Sequence, residues 1–571
     1  MQTIKELGLY TFQAVLNNSL KRFSKRPCCN FPDQEPLTYA DVNEKIIENQ
    51  KLLYSLGVSQ GDKVAIYARN SPNWIISYLA IVTYGAIVVP LMPDFSKEEV
   101  KNALEHSDTE TVFVAKKLLE KVPDSIKNII QLDDFSVLRS NVDLPEDYSA
   151  DKVDFENTYI AEEDDVSTII YTSGTTGRSK GVVLTNKNLV WNAVQGQDCY
   201  RVYQTDVVVS ILPLAHVYEF MIGFLMIFLN GAHIVYLAGP PIPSILLPTL
   251  KHARPNIILA VPLIMEKIYK SKVVPALNKT PLRKKLMKYW IFRKFFSVLA
   301  GKKIKKAMGG RIQFFGLGGS KLDTEIEKFL KMAGFPYALG YGLTETSALV
   351  IHSAPNVTKP GSIGFVLNGL DVKIIDKNAE GVGELVVKGP NVMKEYYKAP
   401  ELTAKSFTKD GYFRTGDLFS KDKKGRFSIR GRIKNLILDA SGENIYPEDI
   451  EFVLNQHEIV SESLVIAGEH SSLKAIIKIN EEKLKKIKAE EKARLESQSI
   501  KDKIDSAISD VSDIFVTTRD RLLDDVKLFV NSKVNARSKI NDIEVVDEFE
   551  KTASGKIKRY IYDFFDKNKK S

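Results

Sequence analysis

The chain has 571 residues, 44% apolar and 26% charged, with a formal charge of +9. That length exceeds what one hydrophobic core usually organises, so at least two domains are expected, and the composition is that of a soluble globular protein. Cys28, Cys29 and Cys199 are too few and too awkwardly placed for a disulfide framework, which points to a reducing, cytoplasmic compartment.

The opening stretch MQTIKELGLYTFQAVLNNSLKRF has no continuous apolar run followed by a small-residue cleavage site. It reads as an amphipathic helix rather than a signal peptide. From Leu37 to about Phe113, helical patterns alternate with the β-rich runs VAIYA, AIVVPL and TVFVA. The alternation resumes with STIIY at 167–171, DVVVSIL at 206–212, HIVYL at 233–237, NIILAV at 256–261 and IQFFGLG at 312–318. This predicts one large α/β region with parallel strands over most of the first three hundred and fifty residues.

The longest apolar passage, 220–229, is preceded by Glu219 and broken by Asn230 and Gly231. A membrane span needs roughly 20 apolar residues without such breaks, so a buried helix followed by a buried strand is predicted. Between Pro281 and Ala307 lie ten Lys and Arg and no acid, interleaved with Tyr289, Trp290, Ile291, Phe292, Phe295 and Phe296. Two readings stand: a helix with a solvated cationic face and a core-facing aromatic side, or a surface for an anionic membrane, an acidic protein or an anionic cofactor.

From Gly361 to Arg430 short alternating strands with Gly, Asn and Asp turns replace helices. After GRIKN the texture changes again, to helical YPEDIEFVLNQ, strands ESLVIAG and LKAIIKI, and a long Lys/Glu-rich helical passage from Glu481. A domain boundary is placed at about Gly431, giving domains 1–430 and 431–571.

The stretch YTSGTTGRSKG at 171–181 follows the apolar run 166–170. Backbone amides of a Gly-rich turn converge on anionic oxygens, hydroxyls add donors, and Lys180 supplies charge. Thr172, Ser173, Gly174, Thr175, Thr176, Gly177 and Lys180 meet that demand. The P-loop pattern would open a helix after its lysine; here Gly181 and VVL predict a strand. The loop therefore joins two strands, and Thr185 caps the next helix, TNKNLVWNAV.

The sequence resembles the adenylate-forming superfamily of acyl-CoA synthetases, luciferases and peptide-synthetase adenylation domains. The resemblance spans almost the whole chain: LGVSQGDKVAIYARNSPNW, YGAIVVPLMP, the loop at 171–181, LPLAHVYE at 212–219, GLGGSKLD at 316–323, GYGLTET at 340–346, GYFRTGD at 411–417, GRIKNLILDASGENIYPEDIE at 431–451 and EKTASGKIKR at 550–559. It implies a large multi-subdomain α/β N-terminal region with a β-rich subdomain, and a small mobile α+β C-terminal domain.

The resemblance further implies activation of a carboxylate by ATP, giving acyl-AMP and pyrophosphate. The loop with Lys180 would hold the outgoing phosphates, Glu345 would bind Mg²⁺, and Thr344 would touch the nucleotide phosphate. Tyr341 with Gly342 would lie on adenine opposite Gly318, Gly319 and Ser320, where glycine permits close approach. Asp417 would accept both ribose hydroxyls, as two carboxylate oxygens can, and Arg432 would reach ribose or phosphate. Lys556 would bridge the acyl oxygen and α-phosphate, then leave as the small domain rotates about Lys434 and Gly442 lines the thiol channel. His216 would lie by the acyl end; a buried structural histidine is the equal alternative.

The passages GRIKNLILDASGENIYPEDIE and KPGSIGFVLNGLDVKI resemble the long-chain fatty acid–CoA ligase branch. That makes a fatty acid and CoA the expected substrates. The apolar residues of 217–237 fit an acyl tunnel or ordinary core alike. Two further readings stand: an acyl-acyl carrier protein synthetase, and a noncatalytic nucleotide or lipid sensor. Peripheral attachment at the inner face of a membrane through 281–307 is a further expectation, and no nucleic-acid partner is expected.

Overall fold

The computed structural model describes residues 7–145, 148–172, 180–438, 444–468, 472–485, 487, 489, 511–552 and 557–562. Two compact units emerge, one of 1–375, 385–415 and 421–428, the other of 376–384, 416–420 and 429–571.

The first unit divides its strands between two sheets, where the sequence pattern suggested a single α/β region. One runs in the order Glu395–Tyr396, Lys180–Thr185, Val166–Thr172, Ile87–Leu91, Lys63–Tyr67, Thr111–Val114, Asn128–Gln131, Val137–Arg139. Its central pairs are parallel, as the alternation with helices predicts, and Val166–Thr172 with Lys180–Thr185 is antiparallel. The other sheet carries the parallel strands His233–Tyr236, Val207–Ser210, Ile257–Ala260, Phe314–Leu317 and Tyr337–Tyr341 side by side. Strand runs such as IIY and VVV suit these positions because both faces are covered.

Thr185 caps the helix Asn186–Gln195 with a capping box, its hydroxyl accepting from the Asn188 amide; such a cap stabilises by about 1 kcal/mol. The passage 219–228 is helical and wholly buried, and the strand His233–Tyr236 follows it, as predicted. Its first turns, Glu219–Leu225, widen into a π-helix. No helix among the described residues is long and apolar enough to cross a membrane.

The basic segment corrects one of its two readings. Tyr289, Trp290, Ile291, Phe292 and Phe295 are exposed, not core-facing. The helix Trp290–Ala307 packs instead through Ser297, Gly301 and Ile304. Small residues there let it approach closely: a Cβ on Gly301 would stand 2.8 Å from the Ala333 methyl.

Between 371 and 432 five strands follow one another among the described residues, and Pro400–Lys405 is the one helix among the described residues there. In the second unit the strands Val460–Ala467, Leu473–Ile479 and Asp542–Val546 form a sheet. The helices Pro447–Leu454 and Val511–Asn531 cover it around Ile450, Leu454, Val465, Ile477, Val526 and Val530.

Candidate active site

The antiparallel hairpin Val166–Thr172 and Lys180–Thr185 closes with Thr172 opposite Lys180. The intervening loop therefore joins two strands and leads into no helix. Its residues Ser173, Gly174, Thr175, Thr176 and Gly177 lie outside the described residues, as do Gly442 and Lys556.

At the mouth of that hairpin the structure assembles a cluster. The short strand Glu395–Tyr396 pairs with Lys180–Thr185, setting Tyr396 opposite Val182. The Lys180 ammonium then sits 5.2 Å from the centre of the Tyr396 ring. The Tyr396 hydroxyl donates to Glu345 Oε1 at 2.7 Å, and the Met393 amide donates to the Glu345 carbonyl at 2.8 Å. Burial and then the Glu345 charge push the Tyr396 phenol well up, so it stays a donor. Tyr396 carries no sequence signal of its own; only pairing with a strand two hundred residues earlier brings it here.

Glu345 occupies the short 3-10 turn Thr344–Thr346, which the chain can make only with help. Ser347 and Ala348 both take positive φ, at 53° and 86°. A Cβ at Gly342 would come 2.0 Å from the Ala348 carbonyl oxygen, so glycine is required there. Buried Asn192 and Asn391 each donate to both the Thr346 and Leu349 carbonyls, at 2.9–3.1 Å. These two side chains clamp the turn from separate segments, and sequence reasoning missed both.

Gly318, Gly319 and Ser320 leave the carboxyl end of Phe314–Leu317, and Tyr341 ends the adjacent parallel strand. Ligands of parallel α/β sheets bind at such carboxyl ends. Gly319 has φ 87°. The Tyr218 ring lies along this strand: a Cβ on Gly318 would meet it at 3.1 Å, and one on Gly316 would meet its hydroxyl at 2.9 Å. Beside it is a small cavity of about 10 Å³ lined by Tyr218, Ile222, Phe314, Gly340, Leu349 and His352, among others.

His216 begins the loop-to-helix turn, its Nδ1 accepting from the Tyr218 amide at 3.3 Å. Immediately after Tyr218, Glu219 is fully buried. Ser210 Oγ donates to Glu219 Oε1 at 2.6 Å, and Asn70 Nδ2 donates to Ser210 Oγ at 2.9 Å. Asn70 also donates to the Leu212 carbonyl and accepts from the Leu214 amide. The chain that carries His216 is thus pinned from below. Burial raises the Glu219 carboxyl to about 8.

In the second unit Asp417 is 1% exposed and Arg432 Nε lies 2.8 Å from its Oδ1. The structure brings these two predicted residues together, and Lys434 stands exposed on the short turn Ile433–Asn435 that follows. Gly416, with φ 68°, precedes Asp417 within the strand Phe413–Lys421, and its amide donates to Glu384 Oε1 at 3.1 Å.

Residues 16–397 match the family described as AMP-binding enzyme. The chain therefore belongs to the AMP-binding enzyme family, and it is an adenylate-forming ligase. It is 29% identical over 500 residues to a peroxisomal long chain acyl-CoA synthetase 6 of Arabidopsis thaliana, covering 80% of this chain and 70% of that one. It is 26% identical over 568 residues to a chloroplastic long-chain-fatty-acid–[acyl-carrier-protein] ligase of the same plant, covering 83% and 77%. Among solved structures, ATP-bound MatB from Rhodopseudomonas palustris shares the fold, with a TM-score of 0.74 at 20% identity over 98% of this chain and 99% of that one.

Proposed function

We propose that the protein joins a long-chain fatty acid to CoA in two steps. A carboxylate oxygen of the acid attacks the α-phosphorus of ATP; the bond to the β-phosphate oxygen breaks, and pyrophosphate leaves. The CoA sulfur then attacks the acyl carbon, the thiol proton is lost, and AMP departs from the acyl-adenylate.

The observation that carries this reading is the cluster of Lys180, Tyr396 and Glu345 beside a glycine- and hydroxyl-rich hairpin loop. Two anions must meet in the first step, so a cation on the leaving-group side lowers the barrier. Lys180, with Thr172, Ser173, Gly174, Thr175, Thr176 and Gly177, holds the outgoing phosphates, while Thr344 lies by the nucleotide phosphate. Tyr341, Gly342, Gly318, Gly319 and Ser320 flank adenine. Asp417 takes the ribose hydroxyls with Arg432 beside it.

Among the described residues no three His, Cys, Asp or Glu converge on a metal position. A resident metal cage is not what this donor set offers; one carboxylate, Glu345, suits Mg²⁺, which keeps waters and substrate phosphates as its other ligands. When bound, the ion neutralises phosphate charge. Tyr396 holds the Glu345 carboxylate in place.

Lys556 serves the first step and leaves for the second, with Lys434 as hinge and Gly442 at the thiol channel. The cavity beside Tyr218, about 10 Å³, has room for about one water and not for an acyl chain. Each methylene of the acyl chain that leaves water on binding contributes about 0.8 kcal/mol. His216 stands at the acyl end.

The likeness to an acyl-carrier-protein ligase supports a second reading, in which the acceptor thiol is that of an acyl carrier protein. An end-point assay crossing acids of several chain lengths with CoA and with acyl carrier protein decides between them. Thioester with CoA and a long-chain acid is the expected product; thioester with the carrier protein alone selects the second reading, and none with either contradicts both.

A further inference from the structure

The outward face of the helix Trp290–Ala307 changes character along its length. Opposite the packed residues Ser297, Gly301 and Ile304 run Ile291, Phe295 and Leu299, one turn apart; the same stripe continues as Lys302 and Lys306. Residues at i and i+4 share a helix face, so this is one line of side chains, apolar in its first half and cationic in its second. Ile291 is 71% exposed, Trp290 60% and Phe295 57%.

The preceding short helix Pro281–Leu286 adds exposed Leu282, and Tyr289 joins the two helices, also exposed. The platform beneath is fixed. Thr280 caps the first helix, the Arg283 guanidinium lies 4.5 Å from the Phe296 ring centre, and it donates to the Ala276 carbonyl at 2.8 Å. These contacts leave the bulky residues at the tip facing water, a costly arrangement for an isolated surface.

We propose that this tip is a docking surface for an anionic lipid bilayer. Tyr289, Trp290, Ile291 and Phe295 enter the headgroup and upper acyl region, while Lys302, Lys303 and Lys306 meet lipid phosphates. Trp and Tyr favour that interface because one end of the ring system is apolar and the other wet. The ten cations of 281–307 have no acid among them, so the field they set up complements negative lipid. An acidic protein partner would be met by the cations alone and gives no reason for neighbouring exposed Trp, Ile and Phe. The proposal stands on exposure and charge and is independent of which acid or thiol the enzyme uses.

The test is co-sedimentation of the full-length protein with vesicles of phosphatidylcholine alone and of phosphatidylcholine with phosphatidylglycerol, at low and high salt. Binding is expected to the anionic vesicles and to weaken with salt, since charges at a surface are screened. Combined Trp290→Ser, Ile291→Ser and Phe295→Ser should weaken binding more than about a hundredfold, since that much apolar surface leaves the lipid. Lys302→Gln with Lys306→Gln should weaken it about tenfold or more, at roughly fivefold per cation. All five positions are exposed, so circular dichroism and thermal unfolding should match the parent. No binding to anionic vesicles, or undiminished binding by the triple variant, overturns the proposal. So does unchanged vesicle binding in variants that lose use of an acidic carrier protein, which would make the face a protein-docking site.

Discussion

Replacing Glu219 by glutamine should change how stability depends on pH. The carboxyl is fully buried, accepts from Ser210 at 2.6 Å through one oxygen, and has no hydrogen-bond partner on Oε2. Burial holds its proton up to about pH 8, against 4.5 for an ordinary glutamate. In the unfolded chain the proton leaves near 4.5, so between these values the unfolded state binds fewer protons and stability falls as pH rises. The contribution is complete below 4.5 and is lost as pH passes through about 8. At roughly 1.4 kcal/mol per pH unit, the loss amounts to a few kcal/mol and at most about 5.

Glutamine is neutral at every pH and removes this dependence. It leaves an amide group without a full set of partners, costing about 1–3 kcal/mol. Urea unfolding from pH 5 to pH 9 should therefore show the variant less stable than the parent at pH 5, and equal or more stable at pH 9. Other titrating groups, such as Glu327, raised by burial to about 8, cancel in the difference. A parent-minus-variant difference that does not move with pH would refute the reasoning.

Tyr396→Phe deletes the 2.7 Å hydrogen bond to Glu345. A bond to a charged group is worth about 1.5–3 kcal/mol, so acid-dependent pyrophosphate release should fall about ten- to a hundredfold, while the melting temperature changes by only a few degrees. Gly342→Ala places a methyl 2.0 Å from the Ala348 carbonyl; the 344–349 turn must shift, and thermal unfolding should show a loss of more than about 2 kcal/mol together with loss of activity. Lys556→Ala should abolish adenylate formation yet still convert supplied acyl-adenylate and CoA to thioester; equal loss of both steps would refute its assignment to adenylation.

The strands of the first unit are legible because IIY, VVV and FFG runs have few other uses, and the hairpin at 172–180 is legible because Gly181 and VVL exclude a helix. The division of those strands between two sheets is not, since strand order depends on contacts far apart in the chain. The same holds within the site. Glu345, Tyr341 and Asp417 sit in motifs that mark them, whereas Tyr396, Asn192 and Asn391 look like any other tyrosine or asparagine. Their hydrogen bonds span between 42 and 157 residues. The segment 281–307 shows a different limit. Its cations and aromatics were countable, but the face the core takes is decided by Ser297 and Gly301, whose small size lets the helix approach Ala333.

Acid-dependent exchange of labelled pyrophosphate into ATP measures acyl-adenylate formation alone, without any thiol. A long-chain fatty acid should support exchange in the parent protein, with AMP the nucleotide product once CoA is added, and Glu345→Gln should suppress it. Absence of exchange with every acid tested, or release of ADP in place of AMP, would contradict the account.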